Sequence, residues 1–333
     1  MTTITLIPGD GIGPEITRSL QRVFNAAHAD IQWDVQEAGL DVLEKTGTLI
    51  PDAVFTSIET HRIALKGPLA TPIGTGHRSL NVLLRQKYDL YACVRPVKSL
   101  AGISTRYHDV DLVIFRENTE DLYAGREVQI SSDEAHSIKV ITRHASTRIA
   151  QAAYDYALAH QRHQVTIVTK ANIMKFSDGL FLDACREVAK HYPSIRTTEI
   201  LVDNLCMQLV VDPSRFDILL TENLYGDILS DLAAGLVGGL GFVPGANLGE
   251  DTAIFEAVHG TAPDIAGLDK ANPTAMLLSG VLMLRHLGQV EVADRIEAAI
   301  TRVLADPTVM TADRGGPIGT TALTQLIVRA LSA

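Results

Sequence analysis

The sequence predicts an α/β protein with two domains. Strand-like and helix-like patterns alternate along the chain, which favours a sheet covered by helices. The chain has 333 residues, more than one hydrophobic core usually holds. Because it contains no internal repeat, low-complexity tract or proline-rich linker, we expect it to cross between the domains through ordered segments. A cleft at such a crossing is a favoured ligand site.

The period of the apolar residues assigns the main elements. Strands are expected over residues 3–7, 31–36, 90–95, 110–115, 165–169 and 216–221. Helices are expected from Pro14, which suits a first helical turn, over 79–88 and 145–160, and from about 223 onward. Segments 128–130 and 137–142 are expected to pair as a hairpin around a polar turn.

Composition and charge exclude several classes of partner. The net charge of -10 argues against nucleic acid or an anionic membrane as the main partner. The longest apolar stretch, 232–246, is interrupted by glycines and is shorter than the about 20 residues that span a bilayer. Cys93, Cys185 and Cys206 lack metal-ligand spacing and are expected to be reduced. A strand at 3–7 leaves no room for a secretory signal, so we expect a cytoplasmic protein or, alternatively, a mature mitochondrial matrix protein.

A glycine-rich turn, Pro8-Gly-Asp-Gly-Ile-Gly-Pro14, follows the first strand. It does not meet the dinucleotide-fold fingerprint, because Pro14 stands where the third glycine is needed and no acidic residue closes a suitable second strand. The chain has no Walker A sequence either. By itself the segment is at least as well explained as a tight strand-to-helix turn as by a cofactor loop.

Two aspartates, Asp227 and Asp231, lie one helical turn apart in a segment that follows the apolar run 216–221. At this spacing both carboxylates lie on one face of a helix, and their repulsion is relieved by a cation between them. Oxygen ligands suit Mg²⁺ or Mn²⁺. The alternative is a pair of acids that complements the N-terminal helix dipole, which is the commoner explanation for an isolated pair.

Three arginines lie near helix and strand ends. Ser79 and Asn81 fall at a helix N-terminus, where free N–H groups attract anions, and Arg85 lies on the same helix. Arg95 and Arg116 are expected at the ends of two buried strands. Guanidinium groups pair bidentately with carboxylates, so their convergence suits a substrate with several carboxylates. For any one arginine an internal salt bridge is the alternative.

Further candidates follow later in the chain. Lys170 ends a predicted strand, and a lysine near a cation site can serve in proton transfer. Asp203 could be a third oxygen ligand or a helix N-cap. The small-residue loop 256–267 could approach a ligand through its N–H groups, or be an ordinary turn. Its Asp264 could bind ribose hydroxyls and would repel a 2′-phosphate, which favours NAD over NADP.

Taken together, these motifs resemble the isocitrate/isopropylmalate dehydrogenase family of metal-dependent β-decarboxylating dehydrogenases. The resemblance covers nearly the whole chain and is carried by Gly9-Asp-Gly-Ile-Gly13, Asn223-Leu-Tyr-Gly-Asp-Ile-Leu-Ser-Asp231, His259-Gly-Thr-Ala-Pro263 and Asn272-Pro. Within the family the chain most resembles short NAD-dependent isocitrate dehydrogenases, as indicated by Gly179-Leu-Phe-Leu, Cys185-Arg-Glu-Val-Ala and Ala262-Pro-Asp-Ile-Ala-Gly267.

The resemblance implies roles for individual residues. The substrate carboxylates would be held by Ser79, Asn81, Arg85, Arg95 and Arg116. Tyr123 and Lys170 would be the proton-transfer pair. The metal, Mg²⁺ or Mn²⁺, would be bound by Asp203, Asp227 and Asp231. NAD would be bound by Ile12, Thr71, Glu256, His259, Gly260, Thr261, Ala262, Asp264, Ile265 and Asn272.

The resemblance also implies a fold and an assembly. The fold is a two-domain, non-Rossmann one, with a large domain at 1–95 and 239–333 and a small domain at 96–238 that carries a strand clasp at about 125–143. Lys170 and Asp203 would reach the site from a partner subunit. A homodimer, or a higher oligomer, is therefore expected.

The implied activity is NAD-dependent oxidative decarboxylation of isocitrate to 2-oxoglutarate and CO₂. Ser79 and Asn81 offer polar groups to isocitrate's γ-carboxylate, where isopropylmalate enzymes present an apolar surface. Homoisocitrate and 3-isopropylmalate are the alternative substrates, and one added methylene changes discrimination by only about 1–3 kcal/mol. A regulatory subunit of a heteromeric enzyme is another alternative, although it predicts the loss of metal or arginine positions that are all present here.

Overall fold

The computed structural model describes residues 1–70 and 79–332. The strands are β1 (Thr2–Ile7), β2 (Ile31–Val35), β3 (Ile63–Lys66), β4 (Ala92–Lys98), β5 (Asp111–Glu117), β6 (Glu127–Ser131), β7 (Glu134–Ser137), β8 (Gln164–Thr169), β9 (Arg196–Leu201), β10 (Ile218–Thr221), β11 (Pro244–Leu248) and β12 (Ala253–Ala257). The alternation of strands with helices confirms the predicted α/β class.

The α-helices cover both faces of the main sheet. They are α1 (Gly13–Ala26), α2 (Leu40–Thr46), α3 (Asp52–His61), α4 (Leu80–Lys87), α5 (Arg143–Ala159), α6 (Ser177–Ala189), α7 (Val202–Val211), α8 (Asn223–Leu236), α9 (Thr274–His286), α10 (Val290–Leu304) and α11 (Thr320–Leu331). The first helix shows why the sequence folds this way. Pro14 lies in its first turn, and Ile16, Leu20 and Val23 form a buried stripe at helical spacing.

Ten strands form one sheet in the order β2-β1-β3-β12-β11-β4-β5-β10-β8-β9. Neighbours are parallel except where β11 pairs with β12 and β4, and where β4 pairs with β5. The predicted domain boundary at 95/96 falls inside β4, in the antiparallel part of the sheet. The proposed division into domains stays a prediction.

The strands β6 and β7 form a separate, exposed two-stranded sheet within the predicted clasp. The predicted second strand, 137–142, is wrong beyond Ser137. Val140 makes only an isolated bridge with Asp121, and Lys139 turns inward to pair with Asp178 and Glu222. Tertiary ion pairing therefore overrides the local strand pattern.

The strand predicted at 90–95 begins later and runs further, as β4 from Ala92 to Lys98. Leu90 does not join the sheet because its N–H closes the end of α4 by donating to Arg85 O at 2.9 Å. Arg95 consequently lies in the middle of β4, so its prediction as a strand-ending residue is wrong. Arg116, the penultimate residue of β5, lies close to the predicted strand end.

No helix within residues 1–70 and 79–332 is both long and apolar enough to cross a membrane. All three cysteines are free, as predicted, with Cys93 and Cys185 buried and Cys206 half-buried.

Candidate active site

A polar cavity of about 260 Å³ collects all five of the sequence-predicted substrate residues. Its lining includes Ser79, Asn81, Arg85, Arg95, Arg116, Tyr123, Asp227, Glu256, His259 and Gly260. These residues are far apart in the chain and come together because β3, β4, β5 and β12 bring their polar side chains to one face of the sheet. On the alternate positions Val94, Phe115 and Phe255 join the hydrophobic core.

Asp227 is the centre of the polar contacts in the cavity. Its carboxylate accepts hydrogen bonds from Arg116 Nη1 and from Tyr123 Oη, each at 2.5 Å, and Arg95 Nη1 lies 3.8 Å away. Burial alone would raise the pKa of Asp227, but Arg116 and the Tyr123 hydrogen bond outweigh it and lower that pKa. Burial and the neighbouring carboxylate raise the pKa of Tyr123. Tyr123 is therefore held as a neutral phenol that can donate a proton.

Arg116 is fully buried and held by a fork of hydrogen bonds. Its Nε and Nη2 donate to Asn223 Oδ1 at 2.9 and 2.7 Å. Its guanidinium also lies over the Tyr123 ring, 5.0 Å from the centroid. The internal salt bridge considered as an alternative for single arginines is thus present at Arg116, but it lies inside the cavity and shares Asp227 with Tyr123.

Close approach of α8 to β5 makes this arrangement possible. Gly226 precedes Asp227, and a Cβ there would lie 2.5 Å from Arg116 Cγ and 2.4 Å from Thr221 Oγ1. Any larger residue would push the helix away from the arginine. The glycine in the Tyr225-Gly-Asp227 segment therefore sets the distance between the carboxylate and the guanidinium.

The structure adds Lys66, for which the sequence alone suggested no role. Lys66 ends β3, and its Nζ lies 2.6 Å from Glu256 Oε2, with both side chains buried. Arg85 Nη2 approaches the other oxygen of Glu256 at 3.4 Å. Burial opposes ionisation of Glu256, but the two cations outweigh it and hold its pKa well below the ordinary value. A charged residue closing the apolar strand Ile63–Lys66 was the available signal.

Asp227 and Asp231 lie on α8 at the predicted spacing, and no acidic residue occupies the first turn of that helix. The helix-dipole alternative is therefore wrong. Within the described part of the chain, Asp231 makes no hydrogen bond or ion pair. Burial raises its pKa, Arg95 opposes this rise, and Asp227 adds to it. A carboxylate that is not directly paired with a cation and lies beside a second carboxylate suits a hard divalent ion.

Asp203 lies in the first turn of α7 rather than at its N-cap, which is Leu201, so the N-cap alternative is wrong. Its carboxylate accepts a hydrogen bond from Lys170 Nζ at 2.6 Å, and this bond lowers its pKa. Among residues 1–70 and 79–332 no three potential ligands form a metal cluster, so one chain does not bring Asp203 to Asp227 and Asp231.

The glycine-rich turn supports the predicted cofactor loop. Ile12 N donates to Thr261 O at 2.9 Å, and a Cβ on Gly11 would lie 2.0 Å from the same oxygen. The Asp10 carboxylate accepts from Leu40 N and Ala70 N, both at 2.8 Å. These contacts identify the turn as a packing element that connects the loop around Thr261 with the segment that ends at Ala70.

The other predicted cofactor residues are spread around that loop. Burial lowers the pKa of His259, whose Nδ1 lies 3.0 Å from Gly260 O. Asp264 is exposed, Ala262 and Ile265 are half-buried against the core, and Asn272 Nδ2 donates to Asp313 at 3.0 Å. Thr71 lies outside the described residues.

The chain matches known proteins over nearly its whole length. A family profile described as isocitrate/isopropylmalate dehydrogenase matches residues 3–329. The chain is 53% identical over 330 residues to a mitochondrial regulatory chain of NAD isocitrate dehydrogenase from Dictyostelium discoideum, covering 99% of this chain and 92% of that one. It is 52% identical to a chloroplastic 3-isopropylmalate dehydrogenase of Solanum tuberosum, covering 90% and 85% of the two chains.

A solved structure shows the same fold. The crystal structure of isocitrate dehydrogenase from Methylococcus capsulatus superposes with a TM-score of 0.97, at 52% identity and with full coverage of both chains. This confirms the predicted non-Rossmann α/β fold. The chain therefore belongs to the isocitrate/isopropylmalate dehydrogenase family, whose members are oxidoreductases.

Proposed function

We propose that this protein catalyses the NAD-dependent oxidative decarboxylation of isocitrate. The observation that carries the proposal is the convergence of Arg85, Arg95 and Arg116 with Tyr123 and Asp227 on one polar cavity. Three guanidinium groups in a small volume match a substrate with three carboxylates. The most similar relatives include NAD-dependent isocitrate dehydrogenase subunits.

Each side chain has a role that its position supports. The arginines bind and orient the carboxylates, and the buried Arg116 keeps Asp227 ionised. Tyr123, as a neutral phenol, donates its proton to the carbon that loses CO₂. Lys170, which we place in the partner's site, would return a proton to Tyr123. The cofactor would lie along the loop 259–265, which the glycine-rich turn holds in place.

The carboxylate groups on α8 are suitable ligands for a divalent cation. Asp227 and Asp231 supply hard oxygen ligands on one helix face, and Asp231 makes no hydrogen bond or salt bridge among the described residues. Mg²⁺ or Mn²⁺ bound there, with Asp203 of a second subunit, would polarise the substrate hydroxyl and offset the negative charge that develops during decarboxylation. Initial rates with isocitrate and NAD, with and without EDTA, test this. Undiminished turnover in EDTA would contradict the metal assignment.

The substrate choice is supported at the α4 end of the cavity. Arg85 Nε is buried and has no hydrogen-bond partner among the described residues, so this end retains an N–H donor for a γ-carboxylate. The kcat/KM values for isocitrate, homoisocitrate and 3-isopropylmalate should be compared on one preparation. We expect isocitrate to be preferred. A preference for either other acid would reassign the substrate.

The same assay separates a catalytic chain from a regulatory one, the role named for the Dictyostelium relative. All proposed arginine, tyrosine and aspartate positions are occupied by competent side chains, so we expect the purified chain to turn over alone. No turnover until a second type of chain is added would favour the regulatory role.

We propose NAD rather than NADP because Asp264 is exposed at the end of the cofactor loop, where its charge would repel a 2′-phosphate. The double replacement Asp264→Lys with Ile265→Tyr should raise kcat/KM for NADP relative to NAD. The exposed Asp251→Lys change serves as the charge-matched control. An unchanged preference in the double variant would show that the determinant lies elsewhere.

We propose a homodimer with shared sites. Large apolar side chains are exposed around Lys170 and on α7 and α8, namely Ile173, Phe176, Met207, Val211 and Ile228, with Phe176 96% exposed. A partner covering this face would bring its Lys170 and Asp203 towards Asp227. The location, cytoplasm or mitochondrial matrix, follows the source of the chain, and the mitochondrial relatives support the second.

Active-site complementation tests whether each active site is built from both subunits. Co-expressed Tyr123→Phe and Lys170→Met chains should recover about a quarter of wild-type activity, because half of the dimers would be mixed and would contain one intact site. Each variant alone should be nearly inactive. If the mixture is no more active than the single variants, each site is built from one chain.

A further inference from the structure

Asp121 has a backbone conformation that is rare for any residue other than glycine. Its φ is 70° and its ψ is -146°. The residue is 1% exposed, and its backbone pairs with Val140, with Asp121 N donating to Val140 O at 2.8 Å. Such a conformation is unfavourable and persists only where the surroundings impose it. The contacts of its side chain explain why an aspartate occupies this position.

The Asp121 carboxylate serves two helical segments at once. One oxygen, Oδ1, accepts a hydrogen bond at 2.8 Å from Leu122 N, at the start of the 3-10 turn Leu122–Ala124. The other, Oδ2, accepts a hydrogen bond at 2.8 Å from Leu224 N, in the first turn of α8. The residue before α8, Glu222, provides no side-chain cap, so Asp121 supplies that acceptor from a distant part of the chain.

The two segments joined in this way carry the reacting groups of the proposed site. The 3-10 turn carries Tyr123, and α8 carries Asp227 and Asp231. Tyr123 Oη donates to Asp227 Oδ2 at 2.5 Å, so the phenol and the carboxylate are linked at one end by their own hydrogen bond. Asp121 links the same two segments through their backbones at the other end.

We propose that Asp121 is a positioning residue that fixes Tyr123 relative to the acidic face of α8. Asp121 is not among the described residues that line the cavity, and it acts through the two segments that it caps. The proposal rests on the proposed function, since it assigns Asp121 a role in proton transfer by Tyr123 to the substrate carbon.

Two replacements separate positioning from general stability. Asp121→Gly suits the backbone conformation but removes both acceptors, whereas Asp121→Asn keeps the shape and one acceptor oxygen. Asp269→Gly is the matched control. Asp269 also has a positive φ, 57°, and its carboxylate accepts from Thr321 N at 2.8 Å in the first turn of α11, a helix without proposed site residues.

We expect kcat with isocitrate to fall by about tenfold to a hundredfold in Asp121→Gly, because small misplacement of a reacting group has effects of that size. KM for NAD should change by less than about twofold, since the cofactor loop is attached elsewhere. Asp121→Asn should lie between this variant and the wild type, and Asp269→Gly should keep the wild-type kcat. A kcat of Asp121→Gly within about twofold of wild type would overturn the proposal.

Crystal structures of the wild type and variants provide a readout that does not depend on turnover. The Tyr123 Oη to Asp227 Oδ2 separation should exceed hydrogen-bond length in Asp121→Gly and stay unchanged in Asp269→Gly. If the wild type fails to oxidise isocitrate, the proposed function is wrong, and this separation still decides the role of Asp121. If Asp121→Gly does not fold, the same measurements on Asp121→Asn decide it, and an unchanged separation with unchanged kcat refutes the role.

Discussion

Two buried glutamates in this protein have pKa values shifted in opposite directions. Glu256 lines the polar cavity and pairs with Lys66 and Arg85, and these cations hold its pKa well below the ordinary value despite burial. Glu222 precedes α8 and pairs with Lys139 at 2.5 Å, yet burial, followed by the charges of neighbouring acids, raises its pKa to about 8.

The difference lies in how many cations each carboxylate has. Lys139 also pairs with Asp178 at 2.6 Å, so one ammonium group serves two carboxylates beside α8. In the cavity the ratio is reversed, because Glu256 alone faces two cations. Burial amplifies whichever balance of charge is present. The cavity therefore keeps an excess of positive charge, which suits the proposed anionic substrate, although the whole chain is acidic.

Loss of the bidentate hydrogen bonding of Arg116 in the polar cavity should have the largest effect. Arg116→Lys keeps the charge but loses the planar pairing with Asn223 and Asp227, so kcat/KM for isocitrate should fall by about a hundredfold or more. Arg162→Lys is the control, because Arg162 also pairs with two aspartates, Asp111 and Asp217, away from the cavity. Steady-state kinetics of both variants measure the effect. Equal losses would mean that it is structural.

Removing a cation from the Glu256 site should weaken the fold. Lys66→Met leaves a buried carboxylate with only Arg85 as a charged partner, and the free energy of unfolding should fall by about 3 kcal/mol. Urea denaturation at pH 7 measures this. Lys87→Met, which breaks the exposed pair with Glu59, should cost less than about 1 kcal/mol. Comparable losses at both positions would contradict the importance of burial.

The raised pKa of Glu222 predicts a pH dependence of stability. The folded protein holds a proton on this carboxyl up to about pH 8, whereas the unfolded chain releases it near the ordinary value of 4.5. This contribution is complete below pH 4.5 and is lost as the pH rises through 8. Glu222→Gln should therefore gain stability relative to wild type between pH 5 and pH 8, by more than about 1 kcal/mol.

Denaturant titrations across that pH range, with the exposed Glu59→Gln as control, measure this gain. A difference between wild type and Glu222→Gln that does not change with pH would show that Lys139 keeps Glu222 charged.

The smallest effect is expected at the Tyr225 hydroxyl, beside the two carboxylates that share Lys139. Tyr225 Oη donates to Asp178 Oδ2 at 3.1 Å, and Asp178 keeps Lys139 and Lys170 N as donors without it. Tyr225→Phe should lower the free energy of unfolding by about 1 kcal/mol. Thermal and urea unfolding check this value. A loss of several kcal/mol would show that the hydroxyl, rather than Lys139, is the main donor to Asp178.

Much of the fold could be predicted where local patterns and tertiary contacts agree. The α1 stripe, the buried β10 strand and the spacing of Asp227 and Asp231 follow from side-chain period alone. The start of β4 and the segment after Ser137 could not, because Leu90 completes a helix end and Lys139 enters a buried ion pair. The Lys139 contacts join distant parts of the chain, and the Leu90 hydrogen bond, although local, is not indicated by the apolar strand pattern.

The composition of the site could be predicted better than its contacts. Motifs identified the arginines, Tyr123 and the α8 acids, because these residue types are informative wherever they occur. They did not show that Arg116 pairs with Asp227, that Lys66 neutralises Glu256, or that Asp121 caps two segments. Each of these depends on the order of strands in the sheet, and the antiparallel insertion of β11 and β4 leaves no local signal.

The sequence by itself determined the α/β class, the family and the set of chemically competent side chains. Periodicity and residue type are local properties, and they survive without knowledge of the fold. Only the tertiary structure decided which charge each of those side chains faces. That choice depends on distances of a few ångströms between strands far apart in sequence, and in a buried site those distances decide which carboxylates are ionised.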